Sequence, residues 1–242
     1  MARDDGPWAG TAPPAVVYFY EPDRTAARPA AHLSGFRGVL QADAYAGFEP
    51  IAGNGIVLAA CWIHARRRFY ELHESSRSPV AGEALRRIAE LYAIEARIRG
   101  RPPDERRAFR QISAAPLVAA MHAWLTLQLG RVPGRSRLAE AIRYMLSRWE
   151  NLCRFLTDGR IDLDTNAVER AIRPVSLGRK NALFAGSDGG ADRWAIVASL
   201  IETAKLNHIE PYAWLQDILQ RMVNGHPISR LDELLPWNWQ SS

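Results

Sequence analysis

Asn166, Glu169, Arg170 and Arg173 recur at i, i+3, i+4 and i+7, a spacing that places all four on one stripe of a helix. Val168, Ala171, Ile172 and Val175 supply much of the apolar counterpart. A carboxylate set between an amide and two guanidinium groups suits a phosphate-bearing substrate: Glu can hold a divalent metal ion while Arg neutralises phosphate oxygens. The same spacing also describes an exposed Glu169–Arg173 ion pair worth about 0.3–0.5 kcal/mol, and spacing alone does not choose between the two. Downstream lie Gly178-Arg179-Lys180-Asn181 and Gly186-Ser187-Asp188-Gly189-Gly190, whose turns leave backbone N–H groups free to approach phosphate.

A second carboxylate, Asp43, ends the run Gly38-Val39-Leu40-Gln41-Ala42. Open α/β sheets place their binding chemistry at strand C-termini, and Mg²⁺ prefers such hard oxygen ligands; Asp is also an ordinary turn former there. Cys61-Trp62-Ile63-His64 has a spacing that can ligate zinc, but a structural zinc site needs four ligands. Cys153 is alone, and His32, His73, His122, His208 and His226 show no paired spacing. A complete zinc site is therefore rejected, in favour of a buried strand-end Cys61 with a hydrogen-bonded His64.

The elements that must position these groups follow from the apolar pattern. Ala15–Tyr20, Gly38–Ala42 and Ile56–Cys61 are β-branched or apolar runs of strand length, and the spacing predicts that they share one sheet. A short helix is expected over Ala26–Leu33. From His64 to about Leu156 apolar residues recur at helical spacing, interrupted at Gly100–Pro103 and Gly130–Gly134. A short helix is expected from about Asp164 to Arg173, capped by Asp164 or Thr165 and stopped by Pro174. Two amphipathic helices follow over 191–206 and 211–223, and the tryptophan-rich tail from Leu231 to Trp239 packs on the body. Strands come first and helices later, which reads as an α+β (α/β-like) chain.

The chain has 242 residues, 48% of them hydrophobic, and a net charge of +5. Between Arg66 and Arg110 twelve arginines stand against seven acidic residues, so this segment carries the whole excess. Such a segment suits a polyanion, because phosphate contacts release counterions; a solvated helical face gives the same count. No stretch approaches the roughly 18 apolar residues of a membrane span, and the first residues have no signal-peptide core. Two cysteines make a reducing, cytoplasmic setting the default expectation.

In order, Leu40–Phe48, Cys61–Phe69, Asp158-Gly159-Arg160, Asn166–Pro174, Gly178–Asn181, Leu183–Ser187 and Leu231–Trp237 resemble the transposases of the insertion-sequence sixty-six family, over nearly the whole chain. The resemblance implies an RNase-H-like core, N-terminally incomplete, with a large all-helical insertion and a helical C-terminal segment. Partial core strands would occupy 1–62, the insertion 63–157, the catalytic-Glu helix and the rest of the core 158–206, and the C-terminal helical element 207–242. It also implies that Asp43 and Glu169 are catalytic and bind Mg²⁺ or Mn²⁺. Cys61 and His64 match a structural Cys-x-x-His element, and Arg173, Arg179, Lys180 and Asn181 match a basic segment that contacts DNA. Arg66, Arg67 and Arg68 would position DNA at the edge of the insertion.

Two departures are small: Asp164-Thr165-Asn166 replaces consecutive asparagines, and Ala44 stands where Gly is usual. A larger one concerns the first of three catalytic carboxylates, which the family carries on an opening strand. Met1-Ala2-Arg3-Asp4-Asp5 matches only the end of the strand after it. A truncated fragment without strand transfer is therefore expected, along with loss of the family's N-terminal helical and zinc-binding regions. The implied partners are insertion-sequence ends and target DNA, a second copy or accessory transposition proteins, and no membrane; the implied location is the bacterial cytoplasm, at the nucleoid. The alternative is a non-catalytic remnant that binds DNA or intact transposase. A regulator unrelated to transposition would make Asp43 and Glu169 incidental.

Overall fold

The computed structural model describes residues 1–43, 46–53, 55–178 and 186–240. It is mostly helical, with two small sheets. Strand β1 (Ala2–Arg3) pairs antiparallel with β2 (Ala15–Val16), and β3 (Gly38–Ala42) pairs parallel with β4 (Ile56–Ala60). A short helix, α1 (Ala27–His32), precedes β3. The described residues form two units. One comprises Pro7–Gly10 and Arg24–Thr165 and carries Asp43; the other comprises Met1–Gly6, Thr11–Asp23 and Asn166–Ser242 and carries Glu169.

In the Asp43 unit six helices follow β4: α2 (Trp62–Ser76), α3 (Pro79–Ile98), α4 (Pro103–Ser113), α5 (Ala115–Leu129), α6 (Arg137–Leu146) and α7 (Trp149–Cys153). Their starts are written locally. Ser78 and Ser136 accept N-cap hydrogen bonds from Ala81 and Ala139, and Pro79 and Pro103 occupy first-turn positions where no N–H is needed. Gly100, at φ +77°, turns the chain between α3 and α4. Trp62, Phe69, Ile88, Met121, Leu125 and Ile142 anchor one continuous apolar core. No single helix among the described residues is long and apolar enough to cross a membrane.

This core also takes in charge. Arg106 and Arg110 are 2% and 0% exposed, so two arginines of the basic segment face inward rather than toward solvent or a polyanion. Arg110 grips Glu95 through two bonds of 2.7 and 2.6 Å and donates to the carbonyls of Phe155 and Asp158. Arg106 donates to Asp162 at 2.7 Å and to Glu95 at 3.3 Å. Buried guanidinium groups are tolerated because each meets carboxylates there.

In the Glu169 unit the helices are α8 (Asn166–Gly178), α9 (Asp188–Leu206) and α10 (Pro211–Val223). Its core is small: Ala204, Trp214, Ile218 and Leu234, with Trp239 beside them and the Trp214 indole donating to the Leu234 carbonyl. Side chains that bond to backbone do much of the rest. The Thr203 hydroxyl accepts from the Val16 N–H and donates to the Val16 carbonyl, both at 3.1 Å, and Ser199 accepts from the Tyr18 N–H at 2.8 Å.

These bonds correct two expectations. The Ala15–Tyr20 run does not join β3 and β4 in one sheet: only Ala15 and Val16 are strand, paired with β1, and hydroxyls of helix α9 take the backbone groups that a further strand would use. Pro174 does not stop α8, which continues to Gly178 with the proline inside it. The missing N–H leaves the Arg170 carbonyl without its i+4 donor. One residue on, the Ala171 carbonyl accepts a hydrogen bond from the Tyr18 hydroxyl, which ties the helix to the β2 segment at the point where proline weakens it.

Candidate functional site

Asp43 follows β3 directly, so the parallel pairing that brings Ala42 opposite Ala60 delivers its carboxylate at the C-terminal edge of the sheet. It is exposed, and it lines a small cavity with Phe48, Glu49, Arg148 and Asn151 above the strand residues Leu58 to Ala60. Arg148 and Asn151 come from the start of α7, which packs against β4.

The chain from Asp158 to Thr165, which runs into the helix of Glu169, is fixed at several points to the framework that holds Asp43. Gln41, two positions before Asp43, donates from its side-chain amide to the Asp162 carbonyl at 2.6 Å. The Trp62 N–H donates to the Leu163 carbonyl, and Thr165 donates from both its N–H and its hydroxyl to the Cys61 sulfur at 3.3 and 3.2 Å. Arg106 holds the Asp162 carboxylate. Gly159 lies flush on α4: a Cβ there would stand 1.8 Å from the Pro103 carbonyl oxygen, so close backbone approach requires glycine. Arg160 folds back on Asp158 through its backbone N–H and its guanidinium, and this holds the Asp158 carboxyl below its ordinary range.

Cys61 is therefore a structural anchor with Thr165 as its bonded partner. Burial pushes its thiol pKa up, partly offset by hydrogen bonds from Thr165 and from the backbone at Ile63 and His64. His64 sits half-buried in the first turn of α2. Among the described residues no group of three or more His, Cys, Asp or Glu side chains is placed to hold a metal ion.

On α8, Glu169 is half-buried while Arg170 and Arg173 are exposed. Arg179, Lys180 and Asn181 lie outside the described residues. In the triple-arginine stretch of α2, Arg67 is exposed, Arg66 leans toward the Tyr70 ring at 5.7 Å, and Arg68 stacks 3.9 Å from the centre of the Tyr144 ring. Arg148 approaches the same ring at 4.4 Å, so the structure joins the cation of α2 to the cavity of Asp43. Sequence reasoning missed Arg148, Asn151, Gln41 and Asp162. The spacing Arg148–Asn151 at i, i+3 was a signal for one helical face, but nothing in the sequence pointed that face at Asp43.

The model of the family described as Transposase IS66 family matches residues 1–193, and that of the IS66 C-terminal element matches residues 199–237. The chain is similar to the uncharacterized protein y4qI of Sinorhizobium fredii (strain NBRC 101917 / NGR234), 45% identical over 247 residues that cover 99% of this chain and 46% of that protein. It is also similar to the uncharacterized proteins y4hP and y4jD of the same strain. These are 46% identical over 254 residues (98% of this chain, 46% of that protein) and 42% identical over 249 residues (100% and 49%). The chain thus spans about half the length of the curated relatives it matches. No solved structure matches it.

Proposed function

Because this chain belongs to the transposase IS66 family, we propose that Asp43 and Glu169 converge on a divalent metal ion and serve phosphodiester chemistry on DNA, at insertion-sequence ends and in target DNA. The observation that carries the Asp43 half of this reading is the parallel pairing that sets its carboxylate at the C-terminal edge of β3, a strand braced by the Gln41–Asp162 bond. The family implies an RNase-H-like core, here over 1–62 and 158–206; of it the described residues hold the parallel β3–β4 pair with a carboxylate at its C-terminal edge. The helices from α2 to α7 support an insertion over 63–157, with 207–242 as the C-terminal element.

The donor chemistry fits Mg²⁺ or Mn²⁺ in part. Carboxylate oxygens are the ligands these ions prefer, and Mg²⁺ keeps several waters, so two side chains suffice for one hydrated ion. A bound ion would lower the pKa of a coordinated water and offset negative charge at phosphorus. The chain's own residues do the rest: Arg173, Arg179 and Lys180 neutralise phosphates near the carboxylates, Asn181 orients them, and Arg66, Arg67 and Arg68 hold DNA further out. Backbone contacts of this kind position a duplex and make its binding steeply salt-dependent.

Manganese titration read by electron paramagnetic resonance tests convergence. Asp43→Asn and Glu169→Gln should each weaken Mn²⁺ binding, and the double variant should be little worse than either single one, because all three lose the same ion. Additive losses, or unchanged binding in both single variants, would sink the shared-ion reading. In a cleavage assay the 242-residue polypeptide, which matches two of the three carboxylates the family uses, should give no strand transfer by itself. Cleavage abolished by Glu169→Gln would show that another of its carboxylates completes the centre. Salt-sensitive DNA binding without any metal effect would instead favour a binding module.

A further inference from the structure

The cavity beside Asp43 contains two groups to which the family resemblance assigns nothing. Arg148 precedes α7 and Asn151 lies one turn into it, so both reach the cavity wall from the same face. Asn151 is half-buried, and its amide has no hydrogen-bond partner among the described residues. Arg148 spends one nitrogen on the Ser147 hydroxyl at 3.0 Å and, weakly, on the Tyr144 carbonyl at 3.5 Å. Its other terminal nitrogen faces Glu49 at 4.0 Å, the outer limit of an ion pair, and that carboxylate is 70% exposed. So loose a pair in water leaves most of the guanidinium charge available.

Other arginines of the same unit are committed elsewhere. Arg154 donates to the Leu58 carbonyl and to Glu150, Arg86 is held between Glu83 and Glu90, and Arg106 and Arg110 are buried on carboxylates. Arg148 also shares the Tyr144 ring with Arg68, and Arg67 is exposed on the same helix as Arg68. A line of cations therefore leads from α2 over Tyr144 into the cavity, and at its end lies the Asn151 amide, which has no partner among the described residues.

We propose that Arg148 and Asn151 form a clamp for a DNA backbone phosphate beside Asp43, and that Arg67, Arg68 and Arg148 mark the path by which the strand reaches it. This rests on the reading of Asp43 as a metal-binding carboxylate, since phosphate and carboxylate share one cavity only with a cation between them or a phosphate drawn toward Arg148. Arg148 supplies charge and Asn151 a neutral N–H donor, so the two differ in how salt affects them. A charge that neutralises a phosphate contributes about 0.9 unit to the slope of log K against log salt; a neutral donor contributes none.

The test is fluorescence anisotropy of a short labelled DNA duplex with the full 242-residue chain, across a KCl series, in EDTA and again in Mg²⁺. Arg148→Gln should flatten the slope by about one unit and weaken binding roughly tenfold near 0.1 M salt. Arg148→Lys should keep the slope. Asn151→Ala should weaken binding a few-fold at unchanged slope, and Arg86→Gln should change neither. In EDTA, Asp43→Asn removes negative charge from the cavity, so it should tighten binding in the intact chain and much less in Arg148→Gln.

A folded Arg148→Gln chain with wild-type slope overturns the clamp while leaving the manganese titration free to support the shared ion. An Arg148-dependent slope in a chain whose Asp43 and Glu169 variants bind Mn²⁺ normally supports the clamp and removes the metal reading. No DNA binding by the intact chain overturns the clamp. If Arg148→Gln fails to fold, Asn151→Ala and the Asp43→Asn comparison carry the test, and wild-type affinity in the former overturns the proposal.

Discussion

Around Asp43 the chain is held by an apolar core that runs from Ala59 to Leu163 and encloses two arginines with their carboxylates; in the Glu169 unit the apolar cluster is smaller, built on Trp214 and Ile218, and hydroxyls borrow backbone groups. The first arrangement removes a large apolar area from water, and each side chain lost from it forfeits both transfer energy and packing. The second has many single attachments, each worth roughly 0.5–1.5 kcal/mol. One carboxylate thus stands at the edge of the sheet in the unit with the larger core, while the other rides on a helix with a proline inside it, held at Ala171 by Tyr18. Amides in α3 and α5 should accordingly exchange with solvent far more slowly than those in α8.

The largest effect expected from this difference belongs to Arg110. Arg110→Ala leaves the half-buried Glu95 with Arg106 alone to face it and takes a donor from the carbonyls of Phe155 and Asp158. Breaking a buried pair by removing one partner costs about 3–5 kcal/mol. Denaturant unfolding followed by tryptophan fluorescence should show that loss, and hydrogen exchange should place it in α3, α4 and the Asp158–Thr165 segment. A cost below about 1 kcal/mol would mean the cluster is decoration, and the contrast between the units would shrink with it.

Thr203→Val is the corresponding cut in the Glu169 unit. It keeps the shape of the side chain but strands the Val16 N–H and carbonyl, for which about 1–3 kcal/mol is the usual cost of a buried unsatisfied group. Faster exchange in α9 and the β2 segment, with α3 unchanged, is the expected pattern.

How far these units could be read from the sequence depends on what each residue answers to. Strands β3 and β4 were legible because short apolar runs bounded by glycine have few other uses, and Asp43 at the end of one was legible with them. The stripe of Glu169 and Arg173 was legible because 3.6-residue periodicity is a local property. The Ala15–Tyr20 run was only partly legible, since its partner on one side is a helix whose Ser199 and Thr203 imitate a strand, and no spacing near residue 16 announces them. Arg106 and Arg110 were misread for a similar reason. An arginine announces charge, but whether it meets phosphate, water or Glu95 is decided by residues 11 to 56 positions away. Arg148 and Asn151 were missed because a cavity is a tertiary object.

Alkaline titration gives a graded form of the same contrast. Burial, and then the negative charge of Glu202, push the Tyr18 pKa up to about 12. In Tyr92 of the Asp43 unit, burial and the charge of Asp164 push it further up. A tyrosine raised in the folded state favours the neutral form there. Its contribution is fully present below the unfolded value of 10.0 and is lost as pH rises through the folded one. The Tyr18–Ala171 tether should therefore weaken between pH 10 and 12, loosening α8 before the Asp43 unit responds. Ultraviolet titration of tyrosinate with the Tyr18→Phe chain as reference would check this, and simultaneous loss of both units would count against it.

The smallest effect expected is at Arg86, and it bears on function because it separates arginines that are spent from arginines that are free. Arg86 lies on the outer face of α3, donates to Glu83 at 2.7 Å and also pairs with Glu90. Exposed pairs at i, i+3 and i+4 contribute little to stability, because water screens them and long side chains resist fixing. Arg86→Gln should accordingly move the unfolding midpoint by little. It should also leave DNA affinity and its salt slope unchanged, since a guanidinium already neutralised by two carboxylates has no net charge to give a phosphate. Arg148, whose one carboxylate partner among the described residues is an exposed Glu49 at 4.0 Å, differs from it in that respect. If Arg86→Gln lowered the salt slope as much as Arg148→Gln, the basic segment would act on DNA as a diffuse cloud of charge. The line of cations from α2 to the Asp43 cavity would then lose its distinction from the rest of the helical surface.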